Sequence, residues 1–151
     1  MTQSDDDMIN TALAAITPEN WALLDELAHA VDANDPGEWQ GGHVMDRTPD
    51  GNPVIAMPFY MYSRELNTLV EAMYRCDFIV PFNWVDWRNR KSTYLNSLSP
   101  TESTPAELMK YIVTVVRSDR FSEGYLGNEI LSGRFLDRLI AVIRHFRPAA
   151  S

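Results

Sequence analysis

The sequence predicts an α+β fold that is mostly helical: a single domain of about five or six helices with a two-stranded antiparallel β-ribbon. Three observations support this prediction. Cap residues mark helix starts, apolar residues recur at helical spacing over most of the chain, and an Asp-Gly pair separates two short apolar segments. A chain of 151 residues is long enough for one domain with its own core.

Four helix starts are indicated by residues that favour the N-cap position. Ser4 precedes three aspartates, which are favourable at the positive end of a helix. Thr17 and Thr104 are each followed by proline, which suits the first helical position. Ser63 precedes a segment with leucines at helical spacing. Residues 104–107 also match the capping-box pattern, so this start is the best defined of the four.

The segment between the helix that starts after Thr17 and the helix that starts after Ser63 has the pattern of a β-hairpin. Asp50-Gly51 lies between apolar residues, and glycine tolerates the positive φ that tight hairpin turns require. Pro53 and Pro58 lack an amide hydrogen, which confines them to edge strands. We therefore expect a two-stranded ribbon that depends on packing against helices for its stability.

The helix after the capping box is the most apolar of the chain. Its apolar residues occupy more than one face, which predicts deep burial. Ser122 has the pattern of the next N-cap, and Phe121 and Leu126 on either side of it predict a hydrophobic staple. Gly124 and Gly127 lower helix propensity, so we expect them to allow the close approach of a neighbouring element.

The charge is distributed unevenly along the chain. Residues 1–50 carry 11 acidic side chains and Arg47 as their only basic one, which gives this part a net charge of −10. We expect residues 1–16 to form an acidic N-terminal segment with a short helix that is prone to fray. Residues 17–147 are then the single globular domain, and residues 148–151 are a tail.

The sequence predicts a cytoplasmic protein without a membrane partner. Its apolar runs are much shorter than the ~20 residues that a membrane-spanning helix needs. The acidic N-terminus lacks the basic start of a secretory signal. Cys76 is the only cysteine and can form no internal disulfide, which fits a reducing compartment.

Several short motifs follow one another along the chain. They are Trp39 with Gly41-Gly42, Met57-Pro58-Phe59-Tyr60, Phe82-Asn83-Trp84 with Trp87, the run from Arg117 to Gly124, and Gly133. Together they resemble a bacterial and phage-associated family of small proteins classed as a domain of unknown function, over about residues 18–146. The most specific of them is the Arg-x-x-Arg-Phe-x-x-Gly stretch. The resemblance implies a cytoplasmic protein and brings no activity, cofactor or catalytic residue.

Established catalytic motifs are missing from the sequence. It contains no Gly-rich phosphate loop, no Gly-x-Ser-x-Gly, no Cys/His metal spacing and no His-Glu-x-x-His. Catalysis by paired carboxylates stays open, because such groups need only meet in space. The sequence therefore favours a non-enzymatic interaction or regulatory module with no cofactor or metal. The acidic first third and the more basic remainder suit a homo-oligomer or a protein partner.

A small-anion binder or enzyme is the alternative function. Arg117, Arg120 and Glu123 lie in the charge cluster at a helix–helix junction, and guanidinium groups donate well to oxygen anions. Trp84 and Trp87, three residues apart on a short helix, would supply an apolar wall to this cleft. The competing interpretation is that the two arginines pair with Asp119, Glu123 or Glu129, or cap the preceding helix.

Weak nucleic-acid binding is the third function considered. It would use the exposed arginines of the last helix together with two before the long helix: Arg88, Arg90, Arg134, Arg138, Arg144 and Arg147. A net charge of −8 repels a phosphate backbone at long range, so this function is the least favoured of the three.

Overall fold

The computed structural model describes residues 4–91 and 98–147. This part of the chain contains seven α-helices: α1 (Asp5–Ala14), α2 (Pro18–Ala30), α3 (Arg64–Arg75), α4 (Trp84–Lys91), α5 (Pro105–Ser118), α6 (Tyr125–Leu131) and α7 (Arg134–Phe146). It also contains four short strands: β1 (Gly37–Gln40), β2 (Val44–Arg47), β3 (Pro53–Ile55) and β4 (Phe59–Tyr62).

The predicted fold class, α+β and mostly helical, is confirmed by this arrangement. The seven helices of the described residues exceed the expected five or six. Two of the seven, α4 and α6, are short, with 8 and 7 residues.

Helix α5 is the centre of the helical layer. It packs against α1, α4, α6 and α7, while α2 packs against α3 and α7. Every residue from 111 to 116 is buried, because α5 has neighbours on several sides. The predicted deep burial of this helix is confirmed. The turn that follows α5 therefore lies close to several of these neighbouring elements.

The acidic N-terminal segment contributes to the same core. Ile9 and Leu13 of α1 are fully buried, and Ile16 after it is nearly so. Lys110 of α5 forms an ion pair with Asp6, which adds a polar contact to this packing. In this structure α1 is therefore a packed helix on α5. The expected tail, residues 148–151, lies outside the described residues.

Residues 37–62 form one long β-hairpin, which we call the β-arm. Its inner ribbon pairs β1 with β4, from Gly37 opposite Tyr62 to Gln40 opposite Phe59. Its outer ribbon pairs β2 with β3. The Gly42 amide donates to the Ala56 carbonyl at 2.7 Å, so the pairing continues between the two ribbons. The predicted antiparallel ribbon is confirmed, as two short sheets rather than one.

Candidate functional site

The β-arm is attached to the helices where α5 turns into α6. Gly124 has φ +81°, and a Cβ there would lie 3.1 Å from the rings of both Trp39 and Tyr60. A Cβ at Gly127 would lie only 2.7 Å from the Tyr60 hydroxyl oxygen. The expected role of the two glycines, the close approach of a neighbouring element, is confirmed. The neighbour is the aromatic face of the inner ribbon.

Two carboxylates fasten the β-arm to the same turn. The backbone amide of Tyr60 donates to Glu123 Oε2 at 3.3 Å, and the Tyr62 hydroxyl donates to Asp119 Oδ1. Asp119 Oδ1 also accepts from the Leu126 amide at 3.1 Å. Burial, followed by the hydrogen bond to Asp119, raises the pKa of Tyr62. Glu123, a sequence-predicted site residue, therefore contacts the β-arm through its carboxylate.

Arg117 and Arg120 both contact Tyr74. Each guanidinium carbon lies 5.5 Å from the centre of the Tyr74 ring, within the range of a cation–π contact. Neither side chain forms an ion pair or hydrogen bond with another residue among 4–91 and 98–147. The structure thus brings these two predicted site residues together.

The ion pairs of the competing interpretation are not formed within the described ranges. Asp119 accepts from Tyr62 and Leu126, as described above. Glu129 is buried and instead pairs with Arg134, while its Oε1 accepts from the Tyr111 hydroxyl at 2.9 Å. The sequence analysis missed this buried pairing, for which the only local signal was an acidic residue on the apolar face of α6.

A cavity of about 190 Å³ opens beside Arg120. Its polar lining comes from Tyr62, Asn67, Tyr74, Asp119 and Arg120, with valine and leucine side chains between them. The Tyr74 hydroxyl is buried and has no hydrogen-bond partner in the described part of the chain. The cavity lining therefore combines the guanidinium group of Arg120 with the carboxylate of Asp119.

The two tryptophans of the predicted site lie on α4, away from the cavity beside Arg120. Trp84 stacks on Phe121 with 6.3 Å between ring centres, and Trp87 contacts Phe82 edge-on at 6.5 Å. Neither tryptophan lines the cavity beside Arg120. The predicted staple is wrong, because Phe121 is 82% exposed while Leu126 is 2% exposed.

Most of the arginines considered for nucleic-acid binding have partners inside the chain. Arg88 donates to Ser118 at 3.1 Å, and Arg90 pairs with Asp86 at 2.7 Å. Arg134 pairs with Glu129, and Arg147 with Asp25 at 2.7 Å; Arg138 is buried and donates to the Leu98 carbonyl. These contacts leave few guanidinium groups for a phosphate backbone.

The β-arm exposes a set of large apolar side chains. They are Trp39, Val44, Met45, Val54, Ile55, Met57, Phe59 and Met61. Every residue of β2 and β3 is exposed, so the outer ribbon buries none of its residues against the described helices. This segment therefore departs from an ordinary polar surface.

The cysteine and the potential metal ligands give less support for a functional site. Cys76 is buried, and desolvation raises the pKa of its thiol, which opposes formation of a reactive thiolate. No three His, Cys, Asp or Glu side chains among the described residues are grouped to hold a metal ion. Within the same ranges no helix has the length and apolar character to cross a bilayer.

The fold and this site define a small, mostly helical domain that carries a β-arm on a glycine-containing turn. The chain belongs to a family of unknown function, DUF6508, whose model matches residues 16–148. The resemblance to a domain of unknown function is therefore confirmed. The chain matches no curated protein and no solved structure.

Proposed function

We propose that the chain is a non-enzymatic interaction module that self-associates through its β-arm. The observation that carries this proposal is the set of eight large apolar side chains exposed on residues 37–62. Exposed patches of this kind on otherwise polar proteins mark interaction sites. Three of the eight are methionines, whose flexible side chains adapt well to a partner surface.

The open edges of the β-arm support the same proposal. An isolated two-stranded ribbon is marginally stable in water, and its unpaired backbone groups are available to another strand. In the described residues each ribbon has two strands and no third strand joins either of them. A partner that adds a strand would satisfy these groups and cover apolar side chains at once.

A second copy of the chain is the partner that we propose. If two copies of β2 pair antiparallel about a two-fold axis, residues of the same face lie opposite one another, so the exposed apolar side chains of one copy can pack against those of the other.

Light scattering after size-exclusion chromatography tests the proposal over a range of protein concentrations. The wild-type chain is expected to shift from monomer to dimer, and Ile55→Asp is expected to remain monomeric. Leu131→Asp is the matched control, because Ile55 and Leu131 are both 54% exposed but Leu131 lies on α6. A wild-type chain that stays monomeric, or equal effects of the two variants, would refute self-association through the β-arm.

A further inference from the structure

We propose that three exposed methionines of the β-arm, Met45, Met57 and Met61, are oxidation sites that control self-association of the chain. Conversion of their thioethers to sulfoxides by hydrogen peroxide releases the dimer, and reduction of the sulfoxides restores it. This inference rests on the proposed function, because it names a regulation of the same surface.

The exposure of these three side chains provides the first argument. Met45, Met57 and Met61 are 61%, 84% and 53% exposed, so each is open to an oxidant in solution. Met73 and Met109 are fully buried, in α3 and α5. Because oxidation follows access to sulfur, we expect it to begin on the β-arm and to spare the methionines of the core.

The cysteine of the chain competes poorly for the oxidant. Cys76 is buried, and desolvation raises the pKa of its thiol, which opposes formation of the reactive thiolate. It is the only cysteine of the sequence. The exposed sulfur groups of the described residues therefore belong to methionines.

The reaction adds one oxygen atom to each thioether. A sulfur lone pair attacks one peroxide oxygen and the O–O bond breaks, so that the sulfur loses two electrons and the second oxygen leaves as water. A methionine sulfoxide reductase reverses the step. Two thiols then form a disulfide, and the sulfoxide oxygen leaves as water. The modification is therefore reversible, as a switch requires.

The three methionines are spread along the β-arm. Met45 lies in β2, where the register with β3 shifts, and Met61 lies in β4 opposite Glu38. Met57 lies between β3 and β4, where the two ribbons join. A sulfoxide is polar, so burying it against a second copy without a hydrogen-bond partner opposes association. Loss of the burial of one such side chain corresponds to a dimer that is weaker by about tenfold or more.

Peptide mass spectrometry and light scattering after size-exclusion chromatography test the switch on the same peroxide-treated samples. Each methionine of the β-arm should gain one oxygen before Met8, which is 37% exposed on α1. The dissociation constant of the dimer should rise about tenfold or more, while the thermal unfolding temperature stays unchanged. Methionine sulfoxide reductases with dithiothreitol should restore the dimer. A higher protein concentration should slow oxidation of the β-arm but not of Met8, because the second copy covers the β-arm.

Two leucine variants provide the controls. The triple variant Met45→Leu/Met57→Leu/Met61→Leu keeps apolar side chains but lacks the oxidisable sulfurs, so its dimer should survive peroxide. Met8→Leu is the matched control, and its dimer should remain as sensitive to peroxide as that of the wild-type chain. A second triple variant, with glutamine at the same three positions of the β-arm, imitates the polar sulfoxide and should be monomeric without peroxide.

The outcomes separate the switch from the self-association on which it depends. A wild-type dimer that persists when its β-arm is oxidised overturns the switch, and so does a leucine variant of the β-arm that dissociates as readily as the wild-type chain. Oxidation of Met8 ahead of the β-arm overturns the assigned sites. An untreated wild-type chain that stays monomeric refutes self-association itself, and the switch with it.

Discussion

Replacement of Gly127 by alanine tests how the β-arm is attached to the helices. Glycine inside a helix is less favourable than alanine by about 1 kcal/mol, so Gly127→Ala would ordinarily stabilise α6. Here the added Cβ would lie 2.7 Å from the Tyr60 hydroxyl oxygen and 2.9 Å from the ring carbon that bears it. The Tyr60 side chain must therefore move.

The size of the effect follows from what the Tyr60 ring contacts. It lies edge-on to Trp39, with 5.4 Å between ring centres, and tilted against Tyr62 at 4.8 Å, so a displaced ring disturbs the inner ribbon. Overpacking a well-filled site typically costs about 1–3 kcal/mol. Set against the gain in helix propensity, Gly127→Ala is expected to lower the free energy of unfolding by about 1 kcal/mol.

A double-mutant cycle separates the two contributions. In a Tyr60→Ala background the clash is absent, so Gly127→Ala should then raise the free energy of unfolding by up to about 1 kcal/mol. The coupling energy between the two positions, measured by urea unfolding of the four variants, should be about 1–3 kcal/mol. If Gly127→Ala is stabilising by the same amount in both backgrounds, the β-arm does not rest on α6 as described.

Three further predictions concern stability. Above about pH 10 the free energy of unfolding should fall, because burial and then the neighbouring carboxylates raise the pKa of Tyr62 and Tyr111, so only the unfolded state ionises there. Tyr111→Phe should make this fall shallower by about 1.4 kcal/mol per pH unit, and an unchanged slope in alkaline urea titrations would contradict the assignment. Leu13→Ala should destabilise the chain by about 2–5 kcal/mol, whereas Met8→Ala on the exposed side of α1 should change it by less than about 0.5 kcal/mol; equal thermal shifts would refute the packing of α1. Thr104→Ala should cost about 1 kcal/mol in denaturant unfolding, and Thr104→Ser, which keeps the capping oxygen, should recover most of it.

The helix starts could be predicted from the sequence because their causes are local. Ser4, Thr17, Ser63 and Thr104 are all N-caps, and each side-chain oxygen accepts from the backbone amide three residues later. Such contacts depend on neighbouring residues alone. The Asp50-Gly51 hairpin belongs to the same group, since its turn is closed within residues 48–52.

The start of α6 could not be predicted by the same rules. The sequence pattern placed its cap at Ser122, but the structure places it at Gly124, in the left-handed conformation and without a side-chain cap. Asp119 accepts the Leu126 amide from seven residues away, a distance that local capping patterns do not cover. This arrangement leaves Phe121 outside the core.

The attachment of the β-arm is also a long-range feature. Tyr60 and Glu123 are 63 residues apart, and nothing local to either residue indicates that they meet. The sequence did identify Arg117, Arg120 and Glu123 as a cluster of interest. The structure shows that their contacts differ. Glu123 binds the β-arm, whereas both arginines contact Tyr74.

Substitutions in the two ribbons of the β-arm should affect stability differently, because the inner ribbon is attached to the helices and the outer ribbon is exposed. Substitutions near Tyr60 alter the packing against α6 and therefore the stability of the domain. Substitutions in β2 and β3 change exposed side chains, and surface changes of this kind usually shift stability by less than about 0.5 kcal/mol. The sequence of the outer ribbon can thus change while the helical domain that carries it stays intact.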